Sequence, residues 1–247
     1  MMIAQVIITK VTILIICAEV IEPAIPNMKK KMKTSMSMNT PKKISQIIEV
    51  LTELYPDAIC SLNYATAFQL LISVILSAQT TDSRVNTVTP ILFSKYPNPA
   101  QLSKAKVGDV EEILHPLGFF RSKAQNIITC SKQLVEKFNS QVPDNMEDLT
   151  SLAGVGRKTA NLILGDVFGQ PSYVCDTHAI RISNRLGFTN STNPDKAETD
   201  LRKIIPPEGS SFFFHRLVLF GRETCSARSP KCEQCKLRTE HLCNYKN

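Results

Sequence analysis

Two short stretches of this chain combine residues that could act chemically on a sugar-phosphate backbone. The first, LAGVGRKTAN, runs from Leu152 to Asn161, and the second, VCDTH, runs from Val174 to His178. Together they supply a glycine turn, a lysine at a predicted helix start and a carboxylate. Backbone N–H groups at such a turn can bind phosphate, and an amine can attack an electrophilic carbon. These residues therefore indicate attack on a sugar carbon by a chain that binds the neighbouring phosphates.

The turn Gly154-Val155-Gly156 lies between two predicted helices, as in a helix-hairpin-helix motif. Glycine adopts positive φ without strain, so the backbone at this turn can come close to another surface. The N–H groups of the turn, with Arg157 beside them, would then point at phosphate oxygens. Such contacts set the position on a duplex and do not read its sequence. A tight turn between two packed helices is the alternative interpretation.

Lys158 lies in the first turn of the helix that follows. The positive end of the helix dipole and the neighbouring Arg157 favour an uncharged, nucleophilic amine at this place. A nucleophilic lysine forms a Schiff base with a carbonyl-like carbon, which on DNA would be C1′ of deoxyribose. Phosphate binding is the alternative role for this lysine.

Asp176 comes just before a predicted helix and is a good residue for capping its N-terminus. The same carboxylate could stabilise an oxocarbenium-like sugar and accept a proton. These two roles are compatible.

Four of the eight cysteines are concentrated near the C-terminus, with six, two and seven residues between successive members: Cys225, Cys232, Cys235 and Cys243. Four thiolates so close in sequence could bind a tetrahedral zinc ion or an iron–sulfur cluster. Zinc ribbons usually pair two Cys-x2-Cys knuckles, whereas only one is present here. Arg228 and Lys231 lie between the first two cysteines and could form a second phosphate contact.

Composition limits the class of protein without identifying it. The chain has 247 residues, 43% of them hydrophobic, which is enough for one large core or two small ones. The net charge of +7 suggests a nucleic-acid partner, but five of the seven excess charges come from residues 1–43. The scattered remaining cysteines favour reduced thiols and an intracellular location. We expect a monomer with no membrane partner.

Residues 1–40 differ from the remainder and are predicted to be an atypical, disordered N-terminal extension. The apolar run VTILIICA (11–18) is too short for a confident membrane span, and the lysine cluster follows it rather than preceding it as in a signal peptide. An organelle-targeting or membrane-anchoring role is the alternative.

From about residue 40 onward the hydrophobic spacing is helical, and no segment alternates with a period of two. We therefore predict an all-α fold, with a buried central helix over the apolar segment 68–78. Further helices are predicted at 44–54, 82–95, 106–114, 122–138, 145–152, 158–168, 177–186, 194–204 and 211–221.

These motifs jointly resemble the endonuclease III family, bifunctional DNA glycosylases and abasic-site lyases of the helix-hairpin-helix superfamily. The resemblance rests on LISVILSAQTTD, LAGVGRKTANLIL, VCDTHAIRISNRLG and the terminal cysteines, and it covers about residues 42–246. It implies two helical domains flanking a DNA cleft. A six-helix barrel with the hairpin would span 60–170, and an iron–sulfur cluster domain would combine 41–59 with 171–247.

The resemblance also implies roles for individual residues. Lys158 matches the Schiff-base nucleophile and Asp176 the catalytic carboxylate. Gln79 matches the residue that fills the space of a flipped-out nucleotide. Phe119 stands where the family has an apolar wedge that enters the base stack, although it could instead belong to the core. The four cysteines would hold a [4Fe–4S] cluster, and the substrate would be damaged double-stranded DNA.

One spacing departs from the family pattern, which usually has five residues between the last two cysteines where this chain has seven. A longer loop closes at small entropic cost, so we expect all four cysteines to remain ligands. His241 in this loop is a minor alternative ligand. Two other functions stay open at this point: a monofunctional mismatch adenine glycosylase, and a non-catalytic DNA-binding protein that uses only the hairpin.

Overall fold

The structure, a computed structural model, describes residues 41–246, and every regular element in that range is a helix. The prediction of an all-α fold is confirmed there, whereas the predicted N-terminal extension, 1–40, lies outside the described residues. The elements are α1 (Pro41–Leu54), α2 (Ala67–Leu76), α3 (Asp82–Lys95), α4 (Pro99–Leu102), α5 (Val107–Leu114), α6 (Phe120–Lys137), α7 (Met146–Ser151), α8 (Arg157–Asp166), α9 (Thr177–Leu186), α10 (Pro194–Leu201), α11 (Ser210–Glu223), a 3₁₀ turn (Cys232–Gln234) and α12 (Lys236–Thr239). No helix within 41–246 is long and apolar enough to cross a membrane.

Helix α2 forms the centre of the first hydrophobic core. Its start is capped by Thr66, whose side chain accepts a hydrogen bond from the N–H of Gln69. Eight of its ten residues are buried, because its sequence is apolar on every face. The core around it takes side chains from 62 to 164, including α3, α5, α6 and α8. This core holds the glycine turn and the start of α8 against α2.

A second hydrophobic core combines the two ends of the described chain. It contains the apolar face of α1 and side chains from 173 to 242, mainly from α9, α10 and α11. The described residues 41–246 nevertheless belong to one compact unit by backbone contacts. The domain boundaries given above stay predictions.

A buried polar contact joins α8 to α11. The Oδ1 atom of Asp166, at the end of α8, accepts hydrogen bonds from Ser211 Oγ and His215 Nε2, both at 2.8 Å. The side chains of Asp166 and His215 are only 8% and 14% exposed. A buried carboxylate needs such hydrogen-bond partners. Here the two bonds fix α8, whose first turn contains Lys158, against α11, whose last turn contains Arg222.

Two short helices were not predicted from sequence. Helix α4 is a single turn that begins with Pro99 and is capped by Asn98, whose side chain accepts from the N–H of Gln101. Helix α12 is a single turn within the cysteine segment. Four residues are too few to show a helical hydrophobic period, so only the Asn98 cap of α4 could have indicated one of these helices.

Candidate functional site

The glycine turn packs tightly against the first core. Gly154 has φ +77°, and a Cβ atom there would lie 3.0 Å from Ile75 Cγ2 and 3.2 Å from Asn126 Cβ. Both the conformation and the space therefore require glycine. Val155 is buried, so its side chain faces the core and only its main chain is available to a ligand. Gly156 is exposed and caps α8 through its backbone.

Lys158, the second residue of α8, is exposed. Among residues 41–246 its ammonium has no hydrogen-bond or ion-pair partner. This leaves the amine free to react at a helix N-terminus, where backbone N–H groups and the helix dipole attract an anion.

Arg157, immediately before Lys158, is bound to a carboxylate. Its Nε and Nη2 atoms donate to Glu198 Oε2 and Oε1 at 2.7 and 2.8 Å. The Glu198 side chain is 5% exposed and also accepts from Arg202 Nε at 2.8 Å and from Asn161 Nδ2 at 3.1 Å. The structure thus gives Arg157 a partner on α10 that the sequence did not indicate, and its predicted phosphate contact stays a prediction.

Burial and charge act in opposite directions on Glu198. Burial alone would raise the pKa of this carboxyl, but the hydrogen bonds from Arg157 and Arg202 outweigh it and hold the pKa below the usual value. The carboxylate is therefore ionised, and the network anchors the start of α8 to α10.

Asp176 caps helix α9. Its Oδ1 atom accepts a hydrogen bond of 2.7 Å from the N–H of Ala179, and its backbone is extended. The capping role is therefore present in the fold. The cap uses one carboxylate oxygen, and the half-buried side chain retains Oδ2 for another role.

An open cleft lies between the α2–α3 loop, the start of α9 and the end of α11. Its lining includes Gln79, Asp82, Asn86, His178 and Arg222. Arg222 Nη2 lies 3.3 Å from Asp82 Oδ2 across the cleft. Asn86 Nδ2 donates to the carbonyl of Ser61 at 2.9 Å, which fixes the wall. The cleft thus presents hydrogen-bond donors and acceptors, and one of its lining residues, His178, is two positions after Asp176 in the chain.

His178 brings a neutral imidazole to this cleft. Burial lowers the pKa of His178, and the cations Arg181 and Arg222 lower it further, against an opposing effect of Asp176. Its Nδ1 atom lies 3.1 Å from Arg181 Nη2. Helix α11 approaches it closely because Gly221 has no side chain; a Cβ there would lie 2.6 Å from that Nδ1.

The two residues predicted to enter DNA share an unusual backbone conformation. Gln79 has φ +53° and Phe119 has φ +57°, both in the left-handed region that non-glycine residues seldom adopt. Both are exposed, and Phe119 is 68% exposed, so it does not belong to the core. A large apolar side chain held out in solvent is a candidate contact surface.

The four C-terminal cysteines line one cavity. Cys225, Cys232, Cys235 and Cys243 all line it, together with apolar side chains of α9, α11 and α12. Every cysteine within 41–246 is a free thiol. Arg185 Nη1 donates to Cys225 Sγ at 3.1 Å.

The longer spacing before Cys243 is accommodated by α12 and one left-handed residue. After this helical turn, His241 has φ +58°, and the N–H groups of Leu242 and Cys243 both donate to the carbonyl of Leu237 at 2.8 and 2.9 Å. The chain is thereby turned back, and Cys243 reaches the cavity. His241 is exposed and is not among the cavity's lining residues.

The four thiols that line this cavity form a ligand set used by iron–sulfur clusters and also by structural zinc ions. Within the described residues, no group of three or more His, Cys, Asp or Glu side chains is arranged to hold one metal ion. The chemistry of the donor set is the one that the predicted [4Fe–4S] cluster requires.

The other described cysteines are not reactive thiolates. Burial raises the pKa of Cys60, Cys130 and Cys175 to about 12. A thiol nucleophile needs a lowered pKa, so these three support packing rather than chemistry.

Comparison with known proteins places the chain in a family. Residues 72–207 match the model of the HhH-GPD superfamily base excision DNA repair proteins. Endonuclease III of Synechocystis is 47% identical over 82% of this chain and 92% of its own length. Endonuclease III of Escherichia coli is 40% identical over 85% and 98%. A solved structure of a trapped endonuclease III–DNA covalent intermediate superposes with a TM-score of 0.78 at 41% identity, over 84% of this chain and 97% of that one.

The chain belongs to the endonuclease III family.

In this member of the endonuclease III family, the site residues predicted from sequence lie at helix starts and on loops. Lys158 and Asp176 lie at the starts of α8 and α9, and Gln79 lies on the cleft that His178 also lines. Arg228 and Lys231 are exposed on the loop between Cys225 and Cys232.

Several polar residues of the cleft and of the network around Arg157 were not found from sequence. Asp82, Asn86 and Arg222 line the cleft, and Glu198 holds Arg157. His178 is the last residue of the VCDTH stretch and could have been singled out, because a histidine two residues after a candidate catalytic carboxylate is a recognisable signal. Glu198 and Arg222 lie in ordinary helical sequence and carry no local signal.

Proposed function

We propose that this endonuclease III family member is a DNA glycosylase with associated abasic-site lyase activity, which removes oxidised pyrimidines from duplex DNA. The observation that carries the proposal is Lys158, an exposed and unpartnered amine among residues 41–246, at the N-terminus of the helix that follows the glycine turn. The relative captured as a covalent complex with DNA supports a covalent route. The reduced thiols favour an intracellular location.

The chemistry follows from these groups. Nζ of Lys158 attacks C1′ of the damaged nucleotide, and the bond from C1′ to the base breaks as the base leaves with a proton. The sugar ring opens to an imine between Nζ and C1′. Loss of a proton from C2′ then expels the 3′ phosphate, which nicks the strand, and water releases the lysine.

Asp176 would act on the charge that develops in this reaction. Its Oδ2 atom, which the cap leaves available, can stabilise the oxocarbenium-like sugar and accept a proton from the attacking amine. We assign the hydrogen-bonding groups of the cleft, including Asp82 and His178, to the flipped base.

DNA would be held at three places. The turn Gly154–Gly156 and the start of α8 would bind one phosphate through N–H groups. Arg228 and Lys231 would bind another from the exposed loop. Gln79 would fill the space left by the flipped nucleotide, and Phe119 would enter the base stack.

We further propose that Cys225, Cys232, Cys235 and Cys243 hold a [4Fe–4S] cluster. The family relationship and the shared cavity of four free thiols support this. When bound, the cluster would cross-link the C-terminal segment 225–243 and thereby fix the loop that carries Arg228 and Lys231. Visible absorbance of anaerobically purified protein, with iron and sulfide analysis, tests it. Colourless protein with stoichiometric zinc would contradict it.

Borohydride trapping on a thymine-glycol duplex tests the catalytic proposal. We expect a covalent adduct with the wild type and with Lys104→Ala, an exposed lysine outside the site, and none with Lys158→Ala. Base release without an adduct would indicate a monofunctional glycosylase. DNA binding with neither product would indicate a non-catalytic protein.

A further inference from the structure

Lys123 is a buried lysine that the proposed reaction does not use. It lies in the first turns of α6 and is only 4% exposed. Within residues 41–246 its ammonium takes part in no ion pair, and its one hydrogen bond, of 2.5 Å, goes to Thr80 Oγ1. Burial lowers the pKa of Lys123. Burying an ammonium with one neutral acceptor costs free energy, so this placement needs a reason.

The acceptor lies in the turn that carries Gln79. The N–H of Thr80 donates to the carbonyl of Ser77 at 3.0 Å, and the Thr80 hydroxyl donates to the carbonyl of Ala78 at 3.4 Å. These bonds enclose Gln79, whose φ of +53° is unfavourable for a residue with a Cβ. The bond from Lys123 fixes the hydroxyl that closes this turn.

The same lysine is also tied to Phe119. The N–H of Lys123 donates to the carbonyl of Phe119 at 3.0 Å, in the first turn of α6. Phe119 precedes that helix with φ +57° and ψ +32°. One residue therefore bonds through its main chain to Phe119 and through its side chain to the neighbour of Gln79.

We propose that Lys123 is a positioning residue that fixes Gln79 relative to Phe119, so that the two side chains enter the duplex as one rigid unit. This rests on the insertion roles given under the proposed function. A rigid pair loses less conformational freedom when it binds DNA than two independent loops would. Lys123 then promotes extrusion of the nucleotide and has no part in the chemistry at Lys158.

Two readouts separate insertion from chemistry. Fluorescence of 2-aminopurine opposite a thymine glycol reports unstacking in the duplex. Borohydride trapping at an abasic site in a single strand reports Schiff-base formation where there is no stack to enter. We expect Lys123→Met and Thr80→Val to slow the duplex signal about 10-fold, within the range that small misplacements cost. The single-strand trapping rate should stay within about twofold of wild type.

Conservative and matched variants make this specific. Thr80→Ser keeps the hydroxyl and should behave as wild type. Lys137→Met removes an exposed lysine at the far end of α6, about 20 Å away, and should also behave as wild type. In a Gln79→Ala background, Lys123→Met should have little further effect, because its action passes through Gln79.

The proposal is overturned if Lys123→Met and Thr80→Val both leave the duplex signal unchanged, or if they slow both readouts equally. Equal slowing would show a merely structural role. If Lys123→Met fails to fold, the comparison of Thr80→Val with Thr80→Ser still tests the proposal, because only Thr80→Ser keeps the hydroxyl that accepts from Lys123. Failure of the proposed function would give a different result, because the wild type would then form no borohydride-trapped adduct on the thymine-glycol duplex or on the single-stranded abasic site.

Discussion

The guanidinium of Arg157 binds the buried carboxylate of Glu198 through two parallel hydrogen bonds of 2.7 and 2.8 Å. Such a bidentate pair fixes orientation as well as distance. Because Lys158 is the next residue, the pair also fixes the first turn of α8, from which this proposed nucleophile extends. Glu198 is therefore expected to affect both stability and reaction rate without touching the substrate.

Replacing Glu198 by glutamine should destabilise the protein by about 1–3 kcal/mol, because a buried charge-assisted network loses its charge. Urea unfolding measures this. Glu136→Gln, at an exposed position of α6, is the matched control and should change stability by less than about 0.5 kcal/mol. An unchanged midpoint for Glu198→Gln would show that the network contributes nothing to the fold.

The same pair predicts a pH dependence with a definite sign. The folded-state pKa of Glu198 lies below its ordinary value of 4.5, so its ionised form stabilises the fold. That contribution is complete above pH 4.5 and is lost as the pH falls through the folded pKa. The stability difference between wild type and Glu198→Gln, measured from thermal unfolding, should be constant between about pH 5 and 7 and narrow below 4.5. A difference that widens in acid would contradict this.

Local sequence indicated the residues that lie close together along the chain. Lys158 follows the glycine turn directly, and Asp176 begins the next helix, so short motifs were enough to find both. The central helix α2 was equally clear, because the residues from Leu70 to Leu76 are all apolar or small and leave no polar face.

Residues brought together from distant parts of the chain could not be found in this way. Glu198 is 41 positions from Arg157, and Arg222 is 140 positions from Asp82. Each looks like a solvated charge on an amphipathic helix until packing is known. The Lys123–Thr80 contact is hidden for the same reason, since nothing local distinguishes a buried lysine from an exposed one.

Gly221→Ala should disturb the cleft through His178. The added Cβ would lie 2.6 Å from His178 Nδ1 and 2.9 Å from Arg181 Nη2, so α9 or these side chains must shift. We expect a loss of about 1–3 kcal/mol in stability from overpacking, with slower base excision. Gly108→Ala is the control, since a Cβ there meets nothing within 4 Å, and it should stabilise α5 by about 0.5–1 kcal/mol. We expect the denaturant midpoint of unfolding to fall for Gly221→Ala and to rise for Gly108→Ala.

The proposed cysteine ligands of the cluster can be distinguished experimentally from the neighbouring His241. Cys243→Ser should lose most of the visible iron–sulfur absorbance. His241→Gly should keep it and be neutral or up to about 1 kcal/mol more stable, because glycine relieves the left-handed conformation at this position. Iron content per chain measures the first effect, and thermal unfolding measures the second. Loss of iron in His241→Gly would make the histidine a ligand and contradict the four-cysteine assignment.

Asp176 offers a way to separate helix capping from chemistry at one position. Asparagine caps helices as well as aspartate does, so Asp176→Asn should keep the bond from Ala179 and the stability of wild type. Asp176→Ala removes the cap as well and should cost about 1 kcal/mol. Both variants lack the carboxylate, so both should excise thymine glycol about 100-fold or more slowly in single-turnover assays. If Asp176→Asn were stable and fully active, the carboxylate would be only a cap, and the proton acceptor would have to be sought elsewhere in the cleft. Unfolding and excision measurements on the two variants therefore distinguish capping from catalysis. Loss of the cap should lower stability in Asp176→Ala alone, whereas loss of the carboxylate should slow excision in both variants.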